Sequence, residues 1–416
     1  MWLSVTLGVA IVSVLGFATI RFFTQGPSAE TIAAGRVLFE HEFTPNDPLC
    51  ANGDGLGPVF NANSCATCHF QGGIGGAGSN EFNVTSFEAF PVPGRPEVVS
   101  GGIHTFATSR QDEESVVALS AMFPSIPDAI EVVSGCTVES RPFDPVQIEE
   151  LNTPPLFGLA EIEKIPSSAI AMHGAKRSIG KVSQEFSGNF GGTGAGRVRY
   201  RSLNRIGRFG WKGQFATVSE FVANACAMEL GLTNPKVSQP VPGAYVADED
   251  ADLDMSSKEL YQLVSFVRSL PRPKQVLPED DKLARLAIRG EELFREIGCA
   301  DCHVPDIGGV EGVYSDFHLY DLEEDDVDRY VEPDFNPEFT LPFEHPRPSE
   351  WQTPPLWGVA DSAPYFHDGQ ASNLEAAIER HGRDGAFARD GFKQLDPPDK
   401  HAVIQFLLSL RAPVTE

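Results

Sequence analysis

Cys65-Ala66-Thr67-Cys68-His69 and Cys299-Ala300-Asp301-Cys302-His303 are two copies of one pentad, Cys-x-x-Cys-His. In this pattern, two thiols on one helical turn can form thioether bonds to the vinyl groups of a haem, and the adjacent imidazole lies below the iron as its proximal ligand. The pentads therefore predict two covalently bound c-type haems, with His69 and His303 as iron ligands. A four-cysteine zinc site would use the same thiols, but it would leave both histidines unexplained and would require two distant motifs to converge.

The sequence around each pentad also occurs twice, in the same order. Four pairs of matching segments follow one another along the chain: Gly35–Phe39 and Gly290–Phe294, Thr153–Gly158 and Thr353–Gly358, Trp211–Gln214 and His367–Gln370, and Ser265–Leu270 and Gln405–Leu410. Such ordered self-similarity indicates an internal duplication. We therefore expect two homologous haem domains, 30–272 and 278–416. Between them, the closely spaced prolines of Pro271-Arg272-Pro273 end a helix and favour an extended linker.

Within each half, the sequence indicates helices connected by long loops. Apolar residues recur with a helical period in Leu260–Leu270 and again in Val403–Leu410. Glycine-rich runs such as 72–78 predict loops. The expected fold class is mainly α, with two cytochrome c-like haem domains and long loops, preceded by an N-terminal signal or transmembrane helix.

The composition is that of a globular protein with a strong negative charge. The chain has 416 residues, of which 41% are hydrophobic and 22% charged, and its net charge is -26. A charge of this sign argues against binding to nucleic acid, whose phosphates would be repelled. It would instead attract a basic partner, such as a small electron-carrier protein of the cytochrome or cupredoxin type. The plain alternative is that the acidity only provides solubility.

The N-terminus predicts the compartment. Trp2–Ile20 is an almost uncharged apolar run followed by Arg21, so residues 1–25 are typical of an export signal or a single membrane anchor. The run is long for a signal peptide and lacks a basic start and a clear cleavage site, which slightly favours an uncleaved anchor. Since haem is attached to this pentad after export, the two signals agree. We expect the rest of the chain on the periplasmic side, either soluble or anchored to the membrane by residues 2–20.

Several further phrases resemble those of a known superfamily. Ala363–Gly369, followed by a helix-like segment, together with the paired pentads and the duplication, resembles the bacterial dihaem cytochrome c peroxidase and MauG superfamily. Gly57–Cys65 and Glu229–Pro235 are most similar to its branch of dihaem oxidoreductases once labelled thiol oxidoreductase-like. The resemblance covers roughly residues 30–412. It implies a catalytic haem in the N-terminal domain and an electron-transfer haem in the C-terminal domain.

The duplication allows the two irons to be compared. Aligning Gly213-Gln214 with Gly369-Gln370 places His381 on Ala225. In peroxidases of the superfamily, a methionine after the corresponding helix supplies the sixth ligand of the C-terminal haem, and in MauG a tyrosine takes its place. The resemblance therefore implies a bis-histidine C-terminal haem, with His303 below and His381 above the iron. The plain alternative for His381 is a surface histidine at a helix C-terminus, where the helix dipole favours it.

The N-terminal haem has His69 but only a methyl group at Ala225, so peroxide or oxygen could bind to its iron. Peroxide cleavage needs a group that moves a proton and a donor that stabilises the leaving oxygen. Glu220, Gln214 and Lys212 are the candidate catalytic residues, because they lie on the segment that resembles the distal helix of the peroxidases.

This segment departs from the peroxidase pattern. The phrase Phe-Trp-Asp-Gly-Arg reads Gly210-Trp211-Lys212-Gly213-Gln214 here, and Lys212 could instead ligate the iron and close the site. Trp211, Trp351 and Trp357 are candidate aromatic steps for electron transfer between the haems, although core packing explains each nearly as well.

The sequence as a whole predicts an exported dihaem c-type oxidoreductase. It would reduce hydrogen peroxide or a similar small oxidant at the N-terminal haem, with electrons relayed by the C-terminal haem. The alternatives are a noncatalytic dihaem electron-transfer cytochrome and MauG-like oxidation of a protein or organic substrate. Calcium is a further candidate cofactor, since the acidic stretch Asp321–Glu338 offers oxygen ligands, although without an ordered ligand pattern.

Overall fold

A computed structural model of the chain describes residues 26–50, 52–89, 99–122, 146–174, 196–240, 252–322 and 345–413. The predicted signal or anchor at 1–25 lies outside these residues, and so does the acidic stretch from residue 323 onward. Within the described ranges, no helix is both long enough and apolar enough to cross a membrane.

Helices form the framework of the molecule. The α-helices that lie wholly within the described residues are α1 (Ala29–Glu40), α2 (Cys65–Cys68), α3 (Arg110–Met122), α4 (Leu159–Lys164), α5 (Val218–Leu230), α6 (Ser257–Ser269), α7 (Asp281–Glu296), α8 (Leu374–Glu379), α9 (Ala386–Gln394) and α10 (Pro397–Ser409). Short 3₁₀ turns lie at Asn80–Phe82, Cys299–Asp301, Val359–Asp361 and Arg383–Gly385.

Short strands accompany the helices. They are β1 (Val59–Phe60), β2 (Val84–Ala89), β3 (Val99–Ile103), β4 (Phe106–Ala107), β5 (Val146–Leu151), β6 (Tyr200–Ser202), β7 (Arg205–Ile206), β8 (Lys274–Gln275), β9 (Leu319–Asp321), β10 (Glu350–Gln352) and β11 (Leu410–Arg411). In the described chain they form antiparallel pairs, with one three-stranded sheet in the order β3-β2-β5. The fold is thus helical with added strand pairs, and more mixed than the mainly α fold expected from the sequence.

Local sequence explains where several helices begin. Thr217 caps α5 through a capping box with Glu220, and Ser256 caps α6 in the same way with Glu259. In a capping box, each side chain accepts from a backbone N–H that the helix leaves without a partner, which typically stabilises a helix by about 1 kcal/mol. The side chain of Asp396 caps α10, whose first residue is a proline.

Two helix pairs show the internal duplication in three dimensions. Helix α1 packs on α6, and α7 packs on α10. A Cβ atom on Gly35 would lie 1.9 Å from the carbonyl oxygen of Gln262, and a Cβ atom on Gly290 would lie 1.9 Å from that of Ala402. Each close crossing therefore requires glycine. The domain limits at 272 and 278 stay a prediction.

Among the described residues the structure has two hydrophobic cores, and only the first takes residues from both halves of the chain. The second core lies among α7, α9 and α10 and includes Phe294, Phe392 and Phe406. The first core contains residues of α1, α5 and α6, and it also takes in Phe317 and Trp357 from the second half of the chain. Because the halves share this core, the elements that carry the two pentads are held in one packed body.

Candidate functional site

The C-terminal pentad holds His303 with one ring nitrogen bonded to the backbone. The backbone N–H of His303 donates to the Cys299 carbonyl at 3.0 Å, and its Nδ1 lies 3.0 Å from the Tyr314 carbonyl oxygen. A carbonyl can only accept, so Nδ1 carries the proton and Nε2 has a lone pair for a metal. Burial lowers the pKa of His303 to about 4, which keeps the imidazole neutral, as a ligand must be.

The N-terminal pentad has the same geometry. The backbone N–H of His69 donates to the Cys65 carbonyl at 3.1 Å, and Nδ1 lies 3.0 Å from the Gly76 carbonyl oxygen. Burial lowers the pKa of His69 to about 4. The carbonyl partners come from unrelated loop sequences, yet both leave Nε2 as the coordinating atom. A hydrogen bond of this kind fixes the tautomer and the ring orientation of a metal-binding histidine.

A cavity lies beside the C-terminal pentad, and its lining includes Cys299, Cys302, His303 and, from another segment, His381. The Nδ1 of His381 lies 2.8 Å from the Ala377 carbonyl oxygen, so its Nε2 also has a lone pair for a metal. The ring centroids of His303 and His381 are 6.4 Å apart. Two imidazoles that bind one metal from opposite sides, each at about 2 Å through nitrogen, have centroids roughly 6 Å apart.

The corresponding region of the N-terminal half differs at this position. Before α5 an isolated bridge joins Phe209 to Phe215, and before α8 the matching bridge joins Tyr365 to Ala371. The side chains of Thr217 and Asn373 cap the two helices at equivalent positions. The structure therefore repeats the register of the sequence alignment as far as the starts of the two helices. The chain leaves α8 at Arg380, so the match of Ala225 with His381 rests on the sequence alignment.

A smaller cavity lies beside α5. Its lining includes Phe209, Trp211 and Phe221. In the sequence alignment, Phe221 matches Ala377 of the C-terminal half. The smaller cavity therefore has an aromatic ring in its lining where the larger cavity has a methyl group. Both cavities share a wall that contains Trp211 and Trp357.

The family described as "Di-haem oxidoreductase, putative peroxidase" matches residues 124–410. The chain belongs to this family. Membership makes the protein an oxidoreductase of the peroxidase-like kind and implies haem as its cofactor. The resemblance of the sequence to the dihaem peroxidase and MauG superfamily is thereby confirmed.

Two solved structures are similar to this dihaem oxidoreductase at low identity. Hydrazine synthase of Kuenenia stuttgartiensis, pressurised with xenon, is 16% identical with a TM-score of 0.35, over 63% of this chain and 73% of that chain. A MauG-like protein associated with microbial copper homeostasis is 19% identical with a TM-score of 0.31, over 49% of this chain and 69% of that chain. No curated protein matches the chain.

The residues of this dihaem oxidoreductase fit the cofactor that its family implies. Each pentad presents a neutral, backbone-anchored histidine next to two thiols, and burial raises the pKa of Cys65 and Cys299 to about 12, so both thiols are protonated. The larger cavity is mostly lined by apolar and aromatic side chains, as a haem macrocycle requires. When bound, the haem irons supply the redox chemistry.

The predicted catalytic residues lie elsewhere. Glu220 accepts hydrogen bonds from the backbone N–H groups of Ala216 and Thr217, and it pairs with Arg205 at 2.5 Å. Gln214 accepts from the backbone N–H of Lys212 at 3.0 Å. Neither side chain is in the lining of either cavity. Their sequence positions suit a distal site, but capping and turn contacts bind both groups locally.

Lys212 was also expected at the distal site, and the structure places its ammonium group in a different environment. The side chain is 3% exposed, and Nζ donates to Glu149 at 2.8 Å and to the Pro348 carbonyl at 2.9 Å. Nζ also lies 4.3 Å from the ring centroid of Trp351. Partners distant in sequence thus bind the ammonium group and give Lys212 a structural role, and its role at the N-terminal haem stays a prediction.

Sequence reasoning missed the stack formed by Trp351 and His367. Their ring centroids are 3.4 Å apart and the planes are 10° from parallel. Both rings line the larger cavity, and burial lowers the pKa of His367 to about 3, so this histidine is neutral. The lysine on Trp351 and the histidine stacked against it fix the tryptophan in the cavity wall. Trp351 lies in β10 and His367 and Lys212 come from other segments, so no local sequence pattern encodes these contacts.

Proposed function

We propose that the protein is a dihaem c-type enzyme that reduces hydrogen peroxide or a similar small oxidant. Cys65 and Cys68 would attach the N-terminal haem, and Cys299 and Cys302 the C-terminal haem. The C-terminal iron would have two imidazole ligands and serve as the electron relay. The N-terminal iron would have His69 alone and bind the oxidant.

One observation carries this proposal. His303 and His381 line one cavity with ring centroids 6.4 Å apart, whereas the sequence alignment gives the N-terminal half Ala225 at the position of His381. A bound oxidant needs an open coordination position, and an electron relay does not. The two irons of one duplicated protein would thereby have different tasks.

An electron-transfer cytochrome without catalysis is the second candidate. The smaller cavity beside α5 favours it, because its lining contains Phe221 but neither His69 nor the N-terminal cysteines. So do the local contacts of Glu220 and Gln214, because they leave no predicted proton donor at the cavity. Both candidates need a source of electrons.

The surroundings of the protein form part of the proposal. We infer that the chain works on the periplasmic side, either soluble or attached to the membrane through residues 2–20. Its electron donor would be a small basic carrier of the cytochrome or cupredoxin type, attracted by the net charge of -26.

The test is an electron paramagnetic resonance spectrum of the purified holoprotein, oxidised and half-reduced, with and without hydrogen peroxide. We expect one low-spin ferric signal from the C-terminal haem and one high-spin signal that peroxide consumes. An A225H variant, which places an imidazole at the position aligned with His381, is expected to convert the high-spin signal to low spin and to abolish the reaction with peroxide. Two low-spin signals that are indifferent to peroxide in both states would instead establish an electron carrier.

A further inference from the structure

A buried polar cluster lies next to the larger cavity, in the segment that leads into β9. The phenolic O–H of Tyr320 donates to Oδ2 of Asp316 at 2.6 Å, and Nδ1 of His318 lies 3.0 Å from the same oxygen. Asp316 and His318 are 0% exposed and Tyr320 is 2% exposed. Groups this polar are buried together only where they satisfy one another.

His318 connects this cluster to the backbone of another segment. Its Nε2 lies 3.1 Å from the carbonyl oxygen of Ile170. Both ring nitrogens of His318 are therefore at hydrogen-bond distance from an acceptor oxygen. Burial acts to raise the pKa of Asp316, but the hydrogen bonds from His318 and Tyr320 hold it below its usual value. Asp316 is therefore an ionised proton acceptor at hydrogen-bond distance from a phenol.

The ring of Tyr320 belongs to the cavity wall. It lines the larger cavity, as His303 and His381 do, and it pairs with Trp351 across the β9–β10 register. A Cβ atom on Gly196, which has a φ of 63°, would lie 2.5 Å from Cζ of Tyr320. This close backbone contact holds the ring against the cavity. The phenol thus has its ring in the cavity wall, and its O–H donates to a buried carboxylate.

Tyr365 provides an internal comparison. It lines the same cavity, and burial raises its pKa. No hydrogen bond among the described residues joins its hydroxyl group to a carboxylate. An oxidised phenol is a far stronger acid than a phenol, so a tyrosine loses an electron most readily where a base accepts its proton in the same step. Of these two cavity tyrosines, Tyr320 meets that condition.

We propose that Tyr320 is a redox-active tyrosine of the C-terminal haem cavity, with Asp316 as its proton acceptor. The inference rests on the proposed peroxide chemistry. Reduction of one hydrogen peroxide to two water molecules takes two electrons and two protons. In the fully oxidised protein, a bound haem iron would supply one electron and Tyr320 the other. The phenolic O–H bond breaks, its proton passes to Asp316, and a neutral tyrosyl radical forms; both protons for water come from solvent. One electron from the donor protein then reduces the radical while Asp316 returns the proton, and a second electron from the donor would restore the haem iron.

The experiment uses the fully oxidised holoprotein, mixed with hydrogen peroxide and frozen within milliseconds to seconds for electron paramagnetic resonance. We expect an organic radical whose line width narrows when the protein is grown with ring-deuterated tyrosine. Y320F should lose the signal, and the matched control Y365F should keep it. D316N should lower the radical yield several-fold while the optical spectra of both haems stay unchanged. A radical of the same shape and yield in Y320F, or one indifferent to tyrosine deuteration, would overturn the inference.

A second oxidant separates this inference from the proposed function. Hexachloroiridate(IV) removes single electrons without needing an open haem iron. A Tyr320-dependent radical with hexachloroiridate but none with peroxide would mean that the peroxide function fails and the tyrosine site stands. Absence of a tyrosyl radical with both oxidants would overturn the tyrosine site.

Discussion

The sequence alignment of the two halves places His381 on Ala225, and in the proposed function this difference of one side chain divides the tasks of the two irons. Imidazole ligation gives a lower reduction potential than thioether ligation, as found when methionine is the axial ligand of a cytochrome c. An H381M variant is therefore expected to raise the midpoint potential of the C-terminal haem, and H381A to convert its signal to high spin. Spectroelectrochemical titration and electron paramagnetic resonance measure the two effects. The matched control is H401Q, since His401 is exposed on α10. Equal potentials in H381M and the wild type would show that His381 is not a ligand.

Lys212 and Glu149 form a buried ion pair, with side chains 3% and 17% exposed. Burial raises the pKa of Glu149, and the nearby Lys212 charge opposes that rise. Removing one partner of a buried pair leaves a charge without compensation and costs about 3–5 kcal/mol. We expect K212M to lower the free energy of unfolding by roughly this amount in urea titrations, and K212M/E149L to lose less than K212M alone.

The exposed pair Arg110–Glu114, with side chains 90% and 71% exposed, provides the control. Exposed pairs contribute about 0–1 kcal/mol, so R110A should change the unfolding free energy little. If K212M were as stable as R110A, the ammonium group would not be needed in the fold, and a role at a haem would again have to be considered for Lys212.

At the scale of elements, the crossing of α7 and α10 depends on Gly290. A methyl group at this position would meet the Ala402 carbonyl at 1.9 Å, so G290A forces the two helices apart. Overpacking of this kind costs roughly 1–3 kcal/mol, against a gain of about 1 kcal/mol from the higher helix propensity of alanine. We expect a net fall in the melting temperature, measured by calorimetry of the holoprotein. K282A, on the exposed start of the same helix, is the control and should change the melting temperature little. An unchanged or raised melting temperature in G290A would show that the crossing tolerates a methyl group.

The sequence predicted these elements to different extents. The duplicated sequence segments predicted that the two helix pairs are equivalent, because each close helix crossing requires a glycine, Gly35 in one copy and Gly290 in the other. They did not predict the different lengths of the two helices that follow equivalent caps: α5 has 13 residues and α8 has 6. In α5 the helix continues to Gly231, whose left-handed conformation ends it, whereas the chain leaves α8 before His381.

The sequence likewise predicted some residues of the candidate site and not others. The proximal histidines could be identified from the pentads alone, since attachment and ligation are encoded within five residues. The environments of Lys212 and Tyr320 could not, because their partners Glu149 and Asp316 reach them through tertiary packing or a specific turn. A local resemblance does not specify which distant carboxylate binds the ammonium group of Lys212.

At the scale of the whole molecule, the net charge of -26 predicts how electrons arrive. Opposite charges speed the encounter of two proteins, and salt weakens that effect as the Debye length falls from about 30 Å at 0.01 M to about 3 Å at 1 M. The second-order rate constant for reduction by a small basic cytochrome should therefore fall steeply over this range in stopped-flow measurements. An acidic carrier of similar size should show the opposite slope, and an uncharged hydroquinone should show little dependence on salt. If the basic and acidic carriers responded alike, the acidity of the chain would serve solubility rather than recognition, because only a charge that takes part in docking can distinguish the sign of its partner.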